Sequence, residues 1–435
     1  MLMGFVGYLF RGSVKLIFLG ALVYLLYLTI KNRNRNHEVL IAASYVIGFE
    51  VFSRMTGGVG FSYEFAKFAV IGFLLVGMFY RGFNTRSWPY VVYVFLLMPA
   101  VLVTAALIHY GTTFLSTVTF NLSGPVCLGV SALYCYDRKI TRKSFHEILN
   151  ACLYPIVAMT VYLYFFTPDI RDVLTGTQSN YEASGGFGPN QVATVLGLGM
   201  FLLFARLFLF KNKLIQLVDL SLIGLLGYRA FVTFSRGGVI VALVCASVFL
   251  IIYFRQVGTK ERFYVLTKVG IVAGVCIFTW LITSVFTSGL IDKRYANQDA
   301  AGREKADVST GRRQLIAGEL EAFKDSPFIG IGVGRSKEVH QEKLGYISTT
   351  HNEVSRMLSE HGILGIFALG ILLLTPLVLR SRNRSNLYLF SFLAFWFLTI
   401  NHSSMRIAAP AFIYGLSVLS ISNERKEEDT LIHRE

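Results

Sequence analysis

The chain has 435 residues, of which 54% are hydrophobic and 15% charged, with a mean hydropathy of +0.55. That balance excludes an ordinary soluble domain, where about a quarter of the residues are charged. The net charge of +15 would suggest nucleic acid in a soluble protein. Here the excess cations lie in short connections between long apolar runs, so membrane lipid is the expected surrounding and no nucleic-acid partner is expected.

Taken in chain order, the apolar runs fall at roughly 14–31, 38–55, 64–80, 88–107, 118–136, 147–166, 189–210, 214–234, 237–254, 265–286, 360–380, 386–402 and 405–422. Each is about the length that crosses a ~30 Å hydrocarbon core. Lipid offers backbone polar groups no partner, so these runs predict helices. A barrel would show short alternating segments instead. The expected fold is all-α: a polytopic integral membrane protein of about 12–13 transmembrane helices with one large external loop. Residues 1–286 hold the first ten spans and a smaller external loop at 167–188. Residues 287–359 form the large periplasmic loop, partly helical, and residues 360–435 the C-terminal spans and a cytoplasmic tail. The opening "MLMGFVGYLFRG" reads as a further short or interfacial helix. No small-residue cleavage site follows the 16–30 run, which therefore reads as a retained helix. The five cysteines lie in or at the ends of apolar runs without CxxC spacing, so neither disulfides nor metal binding is expected of them.

The connections alternate in charge. "KNRNRNH", "RGFNTR", "DRKITRK", "KNK", "RQVGTKER" and "RSRNR" are basic, and the positive-inside rule makes them cytoplasmic. The two longest connections then face outside, onto the periplasm in a cell with two membranes. Cations on that outer side stand out. Arg236 lies in the tight external turn "TFSRGGV", which would expose Ser235 and backbone N–H groups beside the guanidinium. Lys67 sits near the outer end of the third span, three residues after Glu64, with which it could pair. Arg229 within the eighth span reads as structural, and Arg406 opens the last span. In the large loop, "GRRQLIAGELEAFK" predicts an amphipathic helix with Leu315, Ile316, Leu320 and Phe323 near one face, ended by "DSP". Arg312 and Arg313 fall in its first turn, where cations oppose the helix dipole and a bound anion would relieve them. "GIGVG" at 330–334 follows no strand and reads as a flexible or tightly turned segment, not a nucleotide loop. Asn190, at the start of the seventh span, reads first as a cap and second as a sugar contact.

"TTHNE" reads as a capping box, with Thr350 at the N-cap, Glu353 three residues on, and His351 in the first helical position. The helix dipole would hold the imidazole neutral there, fit to act as a general base. A base together with anion-binding arginines suits attack by a hydroxyl on a centre carrying a phosphate leaving group. His402, near an external edge, is a minor candidate, and His361, further along the helix beside Glu360, reads as structural.

These features in this order resemble the O-antigen ligase and polymerase superfamily of membrane glycosyltransferases. "HNEVSRMLSEHGILG" is similar to the ligase-type pattern through His351, Asn352, Gly362 and Gly365. "FSRGG", "STGRRQL…DSPFIGIGVG" and "GGFGPNQVA" resemble the family's arginine turn, loop segment and Pro-Asn helix start. "GRRQLI" lacks the family's common aromatic after the arginine; Arg312 is taken as the equivalent for its place after Gly311. The resemblance implies a donor glycan on undecaprenyl diphosphate and transfer to an acceptor hydroxyl with inversion. It implies His351 as the catalytic base, with Arg236, Arg312 and Lys67 on the diphosphate. Arg313, Asn190, Asn352 and Ser235 are further candidates for substrate contact. No metal or cofactor is expected.

The expected function is an O-antigen ligase in the inner membrane, its active site facing the periplasm and lipid A–core as acceptor. Alternatives are a polymerase, whose acceptor is a second lipid-linked glycan, and a protein O-oligosaccharyltransferase. A flippase or transporter would place charges inside several spans and carry an internal repeat; the charges here gather at one face.

Overall fold

The computed structural model describes residues 1–57, 63–107, 113–305, 311–345, 348, 350–382 and 386–422. The chain folds as an all-α, multi-pass bundle, with 77% of the described residues helical. Among the described residues, nine helices are long and apolar enough to cross a membrane, from Arg11–Asn32 to the long helix Glu353–Arg382. The outward faces of Thr259–Phe286 and Arg11–Asn32 carry exposed large apolar side chains such as Phe263, Phe278, Leu16 and Val23, as lipid-facing helices should. The opening segment forms the short helix Leu2–Leu9, packed on Arg142–Phe166.

Three of the expected spans are not simple helices. The run at 88–107 is interrupted at Leu97 between Trp88–Leu96 and Met98–Leu107, because Pro99 cannot donate to the preceding turn and constrains the residue before it. The run at 405–422 yields only the nine-residue helix Ala409–Ser417. Buried polar groups from elsewhere bound it at both ends. Glu50 Oε2 accepts from the Ala408 N–H at 2.8 Å. Asn386 Nδ2 donates to the Leu416, Ser417 and Leu419 carbonyls at 3.2, 2.9 and 3.2 Å. The chain then turns into Ser420–Ser422, a strand paired in parallel with Lys139–Thr141, a pairing that hydropathy alone does not signal.

The eleventh span begins earlier than its hydropathy suggests, at Glu353, and is broken at Gly362 (φ 60°, ψ −141°). The break frees backbone groups, and the loop segment 327–332, which enters "GIGVG", takes them. Ile331 N–H donates to the Ser359 carbonyl at 2.9 Å, Gly332 N–H to the Glu360 carbonyl at 3.2 Å, and Ile363 N–H to the Pro327 carbonyl at 2.7 Å. "GIGVG" is therefore tightly turned: it sutures the large loop to this helix. Gly330 has φ 73°, and a Cβ there would lie 2.3 Å from the Glu360 carbonyl carbon. A Cβ on Gly362 would lie 2.6 Å from the Pro327 oxygen, at a φ that disfavours any side chain. Gly362→Ala is expected to cost at least ~1–3 kcal/mol from backbone strain alone, seen as a lower Tm in detergent. Gly370→Ala is the control, since nothing lies within 4 Å of its added Cβ, and its Tm should not fall.

The loop helix forms as Arg312–Asp325, but its buried face is Leu315, Gly318, Glu319 and Ala322, while Leu320 is 40% exposed. Of the expected apolar stripe, Leu315 is buried and Ile316 and Phe323 are half-buried, Leu320 alone is exposed, and a carboxylate lies on the buried face beside them. Arg229 is structural, as its sequence context suggested: its Nη2 donates to the Ala183 carbonyl at 2.9 Å and its guanidinium lies over Tyr164, tying the 167–188 loop to the bundle.

Candidate active site

The helix Arg236–Gln256 begins directly after a strained turn, with Phe234 at φ 55°. Arg294 steadies that turn by donating from Nε to the Phe234 carbonyl at 3.0 Å. Arg236 is half-buried at the first helical position. The helix has no side-chain cap, so its first N–H groups keep their capacity for an anion. Ser235, expected to be exposed, is buried at 4% and donates to Asn190 Oδ1 at 2.8 Å. Asn190 does not cap its helix, since Gly188 holds the N-cap position and Pro189 opens the helix. Its side chain is drawn to Ser235 instead, across two helices that pack closely. Its carbonyl accepts from the Thr194 hydroxyl at 2.7 Å, and that hydroxyl lies 3.3 Å from His402 Nε2.

Around Arg236 the cations accumulate. Burial, then the nearby Arg236 and, less strongly, Arg312, make the Arg294 guanidinium less basic than usual. Burial and Arg236 act the same way on Arg312. Lys305, held by Thr177 Oγ1 at 2.7 Å, is lowered by burial, then by Arg294 and Arg236. Tyr295, beside Arg236 and Arg294, is pushed up by burial to about 12. Gathered like charge of this kind is costly unless an anion completes it. Arg312 sits half-buried at the start of its loop helix, following Gly311, whereas Arg313 is exposed.

The structure changes the reading of "TTHNE". Asn352, not Thr350, is the cap: its Oδ1 accepts from the Val354 and Ser355 N–H groups at 2.9 and 3.1 Å. Glu353 does not reach back to the helix start. It binds the buried guanidinium of Arg356, which also meets Glu360 at 3.1 Å and the Asn121 carbonyl at 3.1 Å. A buried guanidinium is a stronger partner for a carboxylate than a lone N–H. His351 therefore stands just outside the helix, half-buried. Its imidazole is still held neutral, by a different cause. Burial, then Arg406, Arg312 and His402, lower its pKa to about 4. Arg406 donates to the neighbouring Thr350 carbonyl at 3.0 Å.

Lys67 is apart from the Arg236 group in its contacts. It is 1% exposed and forms an ion pair with Glu64. The Ser123 hydroxyl joins the pair, 3.2 Å from the ammonium and 2.7 Å from Glu64 Oε2. Lys67 lines a polar crevice shared with Thr350, Arg356, Lys337 and Arg406. His361 is buried at 1%, in the span beyond the turn.

Sequence reading missed Arg294 and Lys305. They lie in a mixed-charge loop without periodicity, and nothing local separates them from solvated cations. Only the strained carbonyl of Phe234, which folding brings to Arg294, gives the arginine its role.

A search of curated proteins finds no match. Residues 220–370 match the model of a family described as O-Antigen ligase. The matched stretch contains Arg236, Arg294, Lys305, Arg312, Glu319, His351 and Asn352, and leaves out Lys67 and Asn190. Over residues 220–370, which span the arginine turn, the docked loop and the broken helix, the chain is similar to the O-antigen ligase family.

Proposed function

We propose that the protein transfers an oligo- or polysaccharide from undecaprenyl diphosphate to an acceptor hydroxyl at the periplasmic face of the inner membrane, with lipid A–core as the acceptor. The observation that carries this reading is the gathering of Arg236, Arg294 and Arg312 beside a neutral His351, within the stretch that matches the ligase family.

In this reading Arg236 and Arg312 bind the diphosphate of the donor, with the first N–H groups of Arg236–Gln256 beside them. Arg294 and Lys305 add positive potential. His351 takes the proton of the acceptor hydroxyl as its oxygen bonds to the anomeric carbon. The bond from that carbon to the phosphate oxygen breaks, and the charge left on the polyprenyl diphosphate is held by the arginines. Attack opposite the leaving group inverts the centre. The residues call for no metal or cofactor. Lys67 is already paired with Glu64 and lines the crevice with Arg406, so this reading gives the diphosphate to the arginines.

An imidazole with a pKa near 4 is a weak base, but part of that depression comes from Arg312. A bound diphosphate offsets that charge and raises the proton affinity of His351 when a base is needed. The sign is definite. Neutral His351 is the active form, so activity is lost as pH falls. The acid limb of kcat/KM, which reports the free enzyme, should lie near pH 4, and the limb of kcat, which reports the substrate complex, should lie higher. Purified protein supplied with a polyprenyl-diphosphate-linked glycan and lipid A–core tests both the function and this order. Transfer with the kcat limb above the kcat/KM limb supports the reading. No transfer to any hydroxyl acceptor removes it.

A further inference from the structure

The face of the loop helix turned inward carries a carboxylate that the mechanism does not use. Glu319 is 1% exposed and lies beside Ser355, whose hydroxyl donates to its Oε2. The Thr350 hydroxyl also reaches this carboxyl. On the other side stands His340, fully buried on the helix Ser336–Leu344. Its Nδ1 lies 2.9 Å from the Ser348 carbonyl, which fixes the proton on that nitrogen. Its Nε2 faces Glu319 Oε1 at 3.5 Å, and among the described residues neither atom has a hydrogen-bond partner. A buried carboxyl and a buried imidazole would each be costly to leave alone, and here they face each other. Ser348, Thr350 and Ser355 flank His351 on both sides in the chain. Two residues of the external loop thus hold the polar backbone and hydroxyls on either side of the histidine.

We propose that Glu319, backed by His340, is a positioning residue for the transfer reaction: it fixes the turn that carries His351, so that the external loop sets where the base stands. The proposal rests on the role given to His351 above. Its physical basis is that a base acts only within hydrogen-bond reach of its proton, and a residue outside the helix, as His351 is, has no helical backbone to hold it there. The groups bearing on His351 are Arg406, Arg312 and His402; those bearing on Glu319 are Ser355, Thr350, His340 and Arg356. Burial raises the Glu319 carboxyl and the four neighbours oppose that rise.

The test compares Glu319→Ala, Glu319→Gln and His351→Ala in the reconstituted transfer assay, with Tm measured for each. Glu319→Gln keeps an oxygen for the Ser355 hydroxyl and should retain most of kcat. Glu319→Ala should lower kcat by as much as about 10²-fold, with donor KM little changed. It should also move the acid limb of kcat/KM upward from near pH 4, because a released His351 regains water. If Glu319→Ala does not fold, Ser355→Ala removes the same grip from the other side and should move the limb in the same direction. A normal kcat and an unmoved limb in Glu319→Ala, alongside an inactive His351→Ala, overturns the positioning role alone. So does an equal loss in the Ala and Gln variants with no limb shift, which would mark Glu319 as merely structural. Normal turnover in His351→Ala overturns the base assignment and this proposal with it.

Discussion

His351→Ala is expected to lower kcat by about 10²–10⁴-fold, the usual contribution of a positioned general base, while leaving donor binding nearly intact. The two effects separate because the proposed base and the proposed anion-binding groups are different side chains on different segments. The histidine follows Thr350, whose carbonyl is held by Arg406; the arginines start their own helices at 236 and 312. The substitution should leave the fold standing, since His351 is only half-buried and the helix cap beside it is made by Asn352. Single-turnover measurements with saturating donor check this directly. Loss of donor affinity with unchanged turnover would mean that the imidazole binds substrate and does not move a proton.

Arg236→Ala is expected to lower kcat/KM by about 10²–10³-fold, the cost of removing one preorganised group from developing negative charge. Both KM and kcat should suffer, because the diphosphate is charged in the ground state and gains charge as it departs. Arg236→Lys should recover only part of the loss, since an ammonium is a point charge and cannot grip two oxygens as a guanidinium does. Arg236 is the site's most central cation: it bears on Arg294, Tyr295, Lys305 and Arg312. Arg313→Ala should stay close to wild type, because that side chain is turned outward from the next position along. Steady-state kinetics across these variants would contradict the account if Arg313 proved more costly than Arg236.

The architecture was legible because lipid imposes a simple rule. Spans must be apolar, helical and long, and the hydropathy runs mark nearly all of them. The rule fails where tertiary contacts substitute for length. Ala409–Ser417 is short because Glu50 and Asn386, far away in sequence, satisfy its ends. Gly362 and "GIGVG" were noticed as motif positions, yet their meaning lies in the hydrogen bonds that tie the loop to the helix on either side of Gly362. In the site, the residue types could be read but some roles could not. "TTHNE" reads as a capping box on Thr350, but Asn352 makes the cap and Arg356 claims the Glu353 that the box would use. Nothing in the sequence singles out Glu319 within the predicted loop helix; its contact with Ser355 shows why it is inside. Neutral His351 was expected from a helix dipole, whereas burial and two arginines supply the effect.

The central claim is that a base on one side and arginine-bound diphosphate on the other carry out a single direct displacement. The anomeric configuration of the new linkage, determined by NMR on the product of one reconstituted transfer, tests it most directly. The account predicts inversion relative to the donor, with release of one polyprenyl diphosphate per glycan moved. Retention would require a covalent glycosyl intermediate, and the role given to His351 would then be wrong.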